Sequence, residues 1–181
     1  MQQQTNPGSS IAQKYGIARS PLWSGVEKKV REDAKCMTCS NDQNLQVHHI
    51  VPFHLCHLVY RGDLELDDRN LLVLCEENVN DHHILVGHLG NFESYNQGGR
   101  AAIEGAFVGL SAQQIKADKT WQALMQGRPA PWNKMPHDQR LALRQFLDTN
   151  FAFIPTAKAS APFPFLDDGT VNEEAKATTY H

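Results

Sequence analysis

Apolar residues along this chain fall into short runs, each bounded by polar or turn-forming residues. Leu22, Val26 and Val30 recur every four positions, the spacing of one helical face. Ser20 and Pro21 stand in front of them as N-cap and first-turn proline, so a helix is expected from Ser20, with Lys28, Lys29 and Arg31 off its apolar stripe. Leu45 to Val51 reads as a strand that Pro52 ends. Asn70 to Leu74 reads as a second, wholly apolar strand with Cys75 at its end. The connection from Pro52 to Arg69 is long for a hairpin and is expected to be a functional or covering loop, with Glu65, Asp67 and Asp68 solvating it. A short helix is predicted from Asn80 or Asp81 to about Leu89, stopped by Gly90 and Asn91. Farther on, Ser111 and Gln114 form a capping-box pattern opening a helix to about Gln126. A break follows at 127–132. Pro136 then begins another helix with Leu143, Phe146 and Leu147 on one face, and Phe151 to Ile154 are expected to pack back onto the domain.

Composition narrows the class. The chain has 181 residues, 41% of them hydrophobic and a fifth charged, which suits one domain with extensions. No apolar run approaches the roughly 18–20 residues of a membrane span. The N-terminal M-Q-Q-Q-T-N-P-G-S-S has no charged-then-apolar pattern of a signal peptide, so a cytoplasmic location and no membrane partner are expected. In that setting a Cys-x-x-Cys reads as a metal or redox motif rather than as part of a disulfide framework. Residues 1–18 read as a flexible lead-in and 155–181 as a disordered tail in which Phe163 and Phe165 could dock. The net charge of −3 does not announce a nucleic-acid binder. Its distribution is more informative: residues 1–35 carry six Lys/Arg against three Asp/Glu, 36–90 two against eight, and 91–158 eight against five. Two bound dications would largely cancel the acidic middle, and the basic flanks could then accept a phosphate backbone.

All four cysteines and seven of the nine histidines lie between Cys36 and Asn91. Soft ligands at the edges of short apolar runs are what a metal-organised module requires. The spacing points to two sites: a sulfur-rich, closed one around Cys36, Cys39 and Cys75, and an imidazole-rich, open one around His48, His49 and His83. Cys36 and Cys39, three apart at a turn, can present both sulfurs to one ion. His48 and His49 alternate across a strand, so both reach one site only if the backbone turns there. His82 and His83 lie about 100° apart on a helix and can serve different sites. His88 would lie about 140° from His83 on an α-helix, so it is read as a packed or hydrogen-bonded helix-end residue. His54, Cys56 and His57 fall in the long connection and are read as structural.

Taken together, C-x2-C, H-H-I-x-P, N-L-x-x-L-C and H-H, in that order, resemble the HNH endonucleases, the ββα-metal nucleases stabilised by a zinc knuckle. R-S-P-L-W before the first helix and G-H-L-G-N after the last histidines are similar to a phage- and bacteria-associated branch. The resemblance covers residues 19–96, and 97–154 read as a helical accessory region. It implies an α+β fold: a ββα-metal core with a structural zinc site, extended by helices at both ends. It further implies that His49 is the general base, Asn70 orients the base region, and His48 and His83 ligate a catalytic divalent ion, Mg2+ or Mn2+ with other dications also open. Cys36, Cys39 and Cys75 match three of the family's four zinc cysteines. His82 stands where the fourth usually lies, and is expected, rather than Cys56, to complete a Cys3His zinc site. Lys28, Lys29 and Arg31 are the expected DNA-binding residues, with the Arg140–Arg144 helix the next candidate. The implied activity is metal-dependent hydrolysis of DNA phosphodiester bonds to 5′-phosphate and 3′-hydroxyl ends. The rival reading is a non-catalytic, zinc-stabilised nucleic-acid-binding module.

Overall fold

A computed structural model describes residues 13–76, 81–105 and 107–151. The expectations for 1–12, Asn80 and everything after Phe151 lie outside the described residues. The fold is mixed α+β, with a small sheet at its centre. Strands β1 (Leu45–His49) and β2 (Leu71–Cys75) pair antiparallel, Val47 opposite Val73 and His49 opposite Leu71. Leu71 to Cys75 are all buried, the burial expected of a strand with an unbroken apolar sequence. Helix α1 (Trp23–Arg31) packs beside the sheet, and a π-helical turn, His83–Gly87, packs across both strands.

Helix α1 begins at Trp23, later than Ser20. The backbone N–H of Ser20 is directed to the Glu65 carboxylate at 2.9 Å, and Trp23 N–H closes a turn on the Ser20 carbonyl at 3.0 Å. Leu22 is consequently 66% exposed, and Trp23 takes the inward position.

The connection between the strands is far more ordered than a covering loop. It contains helix α2 (Phe53–Leu58) and two 3-10 turns, Gly62–Glu65 and Asp68–Asn70. Val51, Leu55, Cys56, Leu58, Val59 and Leu64 from it form one core with Tyr95, Trp132, Met135, Leu143, Leu147 and Phe151. Tyr15 and Ile17 pack against that core, so the lead-in is docked from there onward. Glu65 does not solvate the connection. It is 1% exposed and bonded to three elements.

The second core joins Cys36, Leu72–Cys75, Leu85, Val86 and Leu89 to Ile103, Phe107, Ile115 and Trp121. The C-terminal helices are thus built into the two cores rather than appended to them. They are α3 (Gly99–Gly105), α4 (Ala112–Ala117), α5 (Lys119–Gln126) and α6 (His137–Asn150). The Ser111–Gln114 capping box forms. The helix it opens stops at Ala117, because Asp118 turns extended and its carboxylate accepts the N–H groups of Thr120 and Trp121, starting α5. Helix α6 buries Leu143 and Leu147 as its spacing predicts. Arg140 on it is buried, and Arg144 is held by Asp148 and the Val59 carbonyl.

Candidate functional site

Four side chains converge beneath the first helix. Ser40, in the left-handed region at φ 59°, lets the chain reverse after Cys39, and the Cys36 N–H donates to the Asn41 carbonyl at 2.7 Å. This turn is pinned to the sheet through Met37 N–H and the Val73 carbonyl. Cys75 arrives at the end of β2, and a bridge between Glu76 and Asp81 brings the following segment back so that His82 lies beside it. One ligand atom each from Cys36, Cys39, Cys75 and His82 lies within 4.8 Å of the rest.

The spacing fits zinc. Sulfurs on a tetrahedral Zn2+ at about 2.3 Å would lie about 3.8 Å apart. Cys39 Sγ and Cys75 Sγ are 3.7 Å apart, and His82 Nδ1 lies 3.2 Å from Cys75 Sγ and 3.7 Å from Cys36 Sγ. His82 Nε2 is 3.4 Å from the Leu110 carbonyl, which can only accept. The ring proton therefore belongs on Nε2, leaving the Nδ1 lone pair toward the sulfurs. Burial pushes the Cys36 thiol up, but His82 and neighbouring backbone groups outweigh it and bring its pKa down to about 6, toward the thiolate a metal needs. Cys56 is not part of this group. Its sulfur lies fully buried in the other core, 3.5 Å from the Val51 carbonyl.

A second cluster involves the next residue, His83. His48, on β1, meets His83 and His88 with ring centroids 5.2 and 4.7 Å away, and one ring nitrogen of each of the three lies within 4.8 Å of the others. His88 corrects the expectation drawn from α-helical geometry. The segment winds as a π-helix: His88 N–H bonds to the His83 carbonyl, five residues back, at 3.2 Å. That spacing brings residues 83 and 88 together instead of about 140° apart. Asp81 caps the turn through Ile84 N–H.

The outer hydrogen bonds select the free nitrogens. His88 Nδ1 is 2.8 Å from the Ser94 carbonyl and must donate to it, which leaves Nε2 as the lone-pair atom. His83 Nδ1 meets Glu76 Oε1 at 3.2 Å. His48 Nε2 is buried and has no hydrogen-bond partner among the described residues. An orphaned buried nitrogen beside two oriented imidazoles is the donor arrangement a metal ion completes. Burial and the neighbouring imidazoles hold His48 well below the ordinary histidine pKa, and burial with His83 brings His88 down to about 3, so both rings are neutral and able to offer a lone pair. Three imidazoles suit Zn2+, Ni2+, Fe2+ or Cu2+. Mg2+ and Mn2+, the ions expected from the sequence, prefer oxygen donors.

His48 and His49 point to opposite faces of β1 yet line one cavity of about 210 Å3, with His83, His88, Arg19, Trp23, Phe53, His54 and Phe92 also in its wall. The Trp23 ring stacks on His49 at 4.6 Å. His49 Nε2 is 2.9 Å from the Glu65 carbonyl, so it carries the proton and Nδ1 holds the lone pair. Burial and the Arg19 charge lower the His49 pKa to about 3. Asn70, fully buried, pairs with Val51 in both directions: its Oδ1 accepts Val51 N–H at 2.9 Å, and its Nδ2 donates to the carbonyls of Val51 and Leu64 at 3.1 and 3.0 Å. It fixes the chain immediately after His49 against the chain immediately before Glu65.

From the sequence, Glu65 was expected to solvate the connection and His57 to be structural, and Arg19 was given no site role. Glu65 Oε2 meets His57 Nε2 at 2.9 Å. The signal available was weak, a lone Glu between two leucines in D-L-E-L-D. Lys28, Lys29 and Arg31 are exposed on α1, with Arg31 3.6 Å from Glu27, and none of them lines the cavity. No family model, curated protein or solved structure matches the chain. Among the described residues no helix is long and apolar enough to cross a membrane.

Proposed function

We propose that this protein is a metal-dependent DNA endonuclease of the HNH kind, built on a Cys3His structural zinc site and a separate three-histidine ion site. The observation that carries the reading is the single cavity that exposes both the His48–His83–His88 cluster and a neutral His49 whose proton position is fixed by the Glu65 carbonyl. A zinc-binding scaffold needs only the first site. It has no use for an orphaned imidazole nitrogen beside a second, oriented base.

Phosphodiester hydrolysis needs a proton acceptor for the attacking water and relief of charge on the phosphate. His49 supplies the first through Nδ1. Its Nε2–H remains on the Glu65 carbonyl, which orients the ring and stabilises the imidazolium formed as the proton arrives. Asn70 keeps that carbonyl and the His49 backbone in register. The Trp23 ring covers one face of His49 and limits its rotation. An ion held by His48, His83 and His88 would supply Lewis-acid stabilisation of the developing phosphate charge.

The reading is tested by incubating purified protein with supercoiled plasmid after chelation, then restoring Zn2+, Ni2+, Co2+, Mn2+ or Mg2+ singly. Ion-dependent conversion to nicked or linear DNA, strongest with imidazole-preferring ions, is expected. Absence of cleavage with every ion, while DNA is still bound, would leave the non-catalytic binding module in its place.

A further inference from the structure

The cavity wall contains a cation whose N–H groups find no internal hydrogen-bond acceptor among the described residues. The Arg19 guanidinium carbon lies 3.9 Å from the Phe53 ring centroid and 4.3 Å from that of Trp23. Its nearest carboxylate contact is Glu65 Oε1 at 3.8 Å, beyond hydrogen-bond length. That oxygen already accepts Ser20 N–H, and the other carboxylate oxygen meets His57. Among the described residues the five N–H donors of Arg19 make no hydrogen bond. Aromatic rings hold a guanidinium by its π-faces and leave its donors unused.

Several other arginines near the cores have their donors on internal acceptors. Arg61 is bonded to Asp63 and Asp148, Arg100 to Glu104 and the Leu71 carbonyl, and Arg128 to the Leu89 carbonyl. Arg19 is different: partly desolvated, 37% exposed along its side chain, and aimed at no internal acceptor, in the same wall as His48, His49, His83 and His88. Desolvating a guanidinium without hydrogen bonds is costly unless a ligand completes it.

We propose that Arg19 is the anion-binding residue of this cavity and that its planar N–H edge grips two oxygens of a phosphate group. That the phosphate belongs to DNA rests on the nuclease reading above. The anion site itself rests on the geometry of Arg19. Paired N–H donors match two phosphate oxygens, which a lysine ammonium on the same stem cannot reproduce. Trp23 and Phe53 set the position of the fork, and Trp23 also stacks on His49. One aromatic side chain therefore fixes the distance between the base and the phosphate grip.

The experiment uses the full chain as wild type, Arg19→Lys and Arg19→Gln, with zinc content and thermal midpoint measured for each. Inorganic phosphate is titrated without added divalent ion, read by tryptophan fluorescence, and plasmid nicking is measured with the ion at two salt concentrations. Wild type should bind phosphate, with Arg19→Gln weaker by roughly tenfold or more, the loss of about one charge-assisted bond. Nicking should fall roughly 10²–10³-fold in Arg19→Gln, mainly in kcat, with zinc content unchanged. Arg19→Lys, which keeps the charge, should fall between. A residue serving only to pack Trp23 would leave phosphate affinity untouched. Equal phosphate affinity in all three proteins, no phosphate binding by wild type, or undiminished nicking by Arg19→Gln overturns the inference. If wild type binds phosphate through Arg19 but cuts no DNA, the anion site stands and the nuclease reading falls. Should Arg19→Gln fail to fold, Arg19→Lys decides: wild-type phosphate affinity and rate in that variant refute the paired-donor grip.

Discussion

Gly87 offers a sharp probe of the three-histidine site because two opposing effects meet there. It sits in the π-helical turn without a positive φ, so alanine fits its backbone. Considered alone, Gly87→Ala should stabilise a helical segment by up to about 1 kcal/mol. The added Cβ, however, would stand 2.7 Å from His48 Cε1 and 2.9 Å from Nδ1 and Nε2. Carbon contacts are comfortable at about 3.5–4.0 Å, so the ring or the turn must retreat by roughly 1 Å. His48 is 1% exposed and has little room to swing. Overpacking of this kind costs about 1–3 kcal/mol, partly offset by the helix gain, and about 2–4 °C of melting temperature accompanies each kcal/mol in a chain of 150–250 residues. Stability is therefore a weak readout, and site geometry is the strong one. A displacement near 1 Å in a reacting constellation costs roughly 10²-fold in rate. Gly87→Ala should lose that much nicking activity and bind the second ion measurably more weakly by calorimetry, while keeping one zinc per chain. Wild-type ion affinity and rate in this variant would refute the placement of His48 in the ion site.

The zinc assignment predicts that His82→Ala loses bound zinc and thermal stability together, since structural zinc is coupled to folding. Cys56→Ala should keep its zinc and His82→Cys should restore it; metal analysis showing the reverse for Cys56 and His82 would exchange their roles. On acidification the protein should weaken in a defined window. Burial holds His49 near 3 and His54 near 4 in the folded state, so the unfolded chain binds more protons below about 6.5. This contribution is complete above pH 6.5 and falls away toward pH 4, by on the order of 1–2 kcal/mol per histidine at pH 5. A urea midpoint unchanged between pH 7 and 5, with zinc retained, would contradict it. Replacing Lys28, Lys29 and Arg31 by Ala should weaken DNA binding evenly across sequences and flatten its salt dependence. An unchanged salt slope would move the contact surface away from α1.

The sequence made the two strands and the sulfur-rich cluster legible, because a Cys-x-x-Cys turn and an apolar strand ending in Cys75 leave few ways to arrange three sulfurs. Adjacency showed that His82 and His83 can serve different sites, and the resemblance supplied which site each was expected to serve. His88 was not, because the expectation assumed α-helical winding, and nothing local distinguishes an i→i+5 turn from an i→i+4 one. The tight fit of Gly87 on His48 becomes apparent only once both are placed. The connection between the strands was misjudged for a related reason. Its helix α2 is six residues long, too short for a periodicity signal, and is stabilised by packing with Trp132 and Leu147, far along the chain. Glu65 was read as solvated and Arg19 was given no role because a charged residue in a polar segment ordinarily faces solvent. Their roles come from burial that only tertiary contacts create.

In the proposed mechanism His49 is a base acting beside an ion held by three histidines. Its most direct test is the single-turnover nicking rate of His49→Ala against wild type, on plasmid with saturating divalent ion. Zinc content, second-ion affinity and DNA affinity are measured on the same preparations. The account predicts a rate lower by roughly 10²–10⁴-fold, with both metals and DNA binding retained. A rate within a few-fold of wild type under those conditions would contradict it.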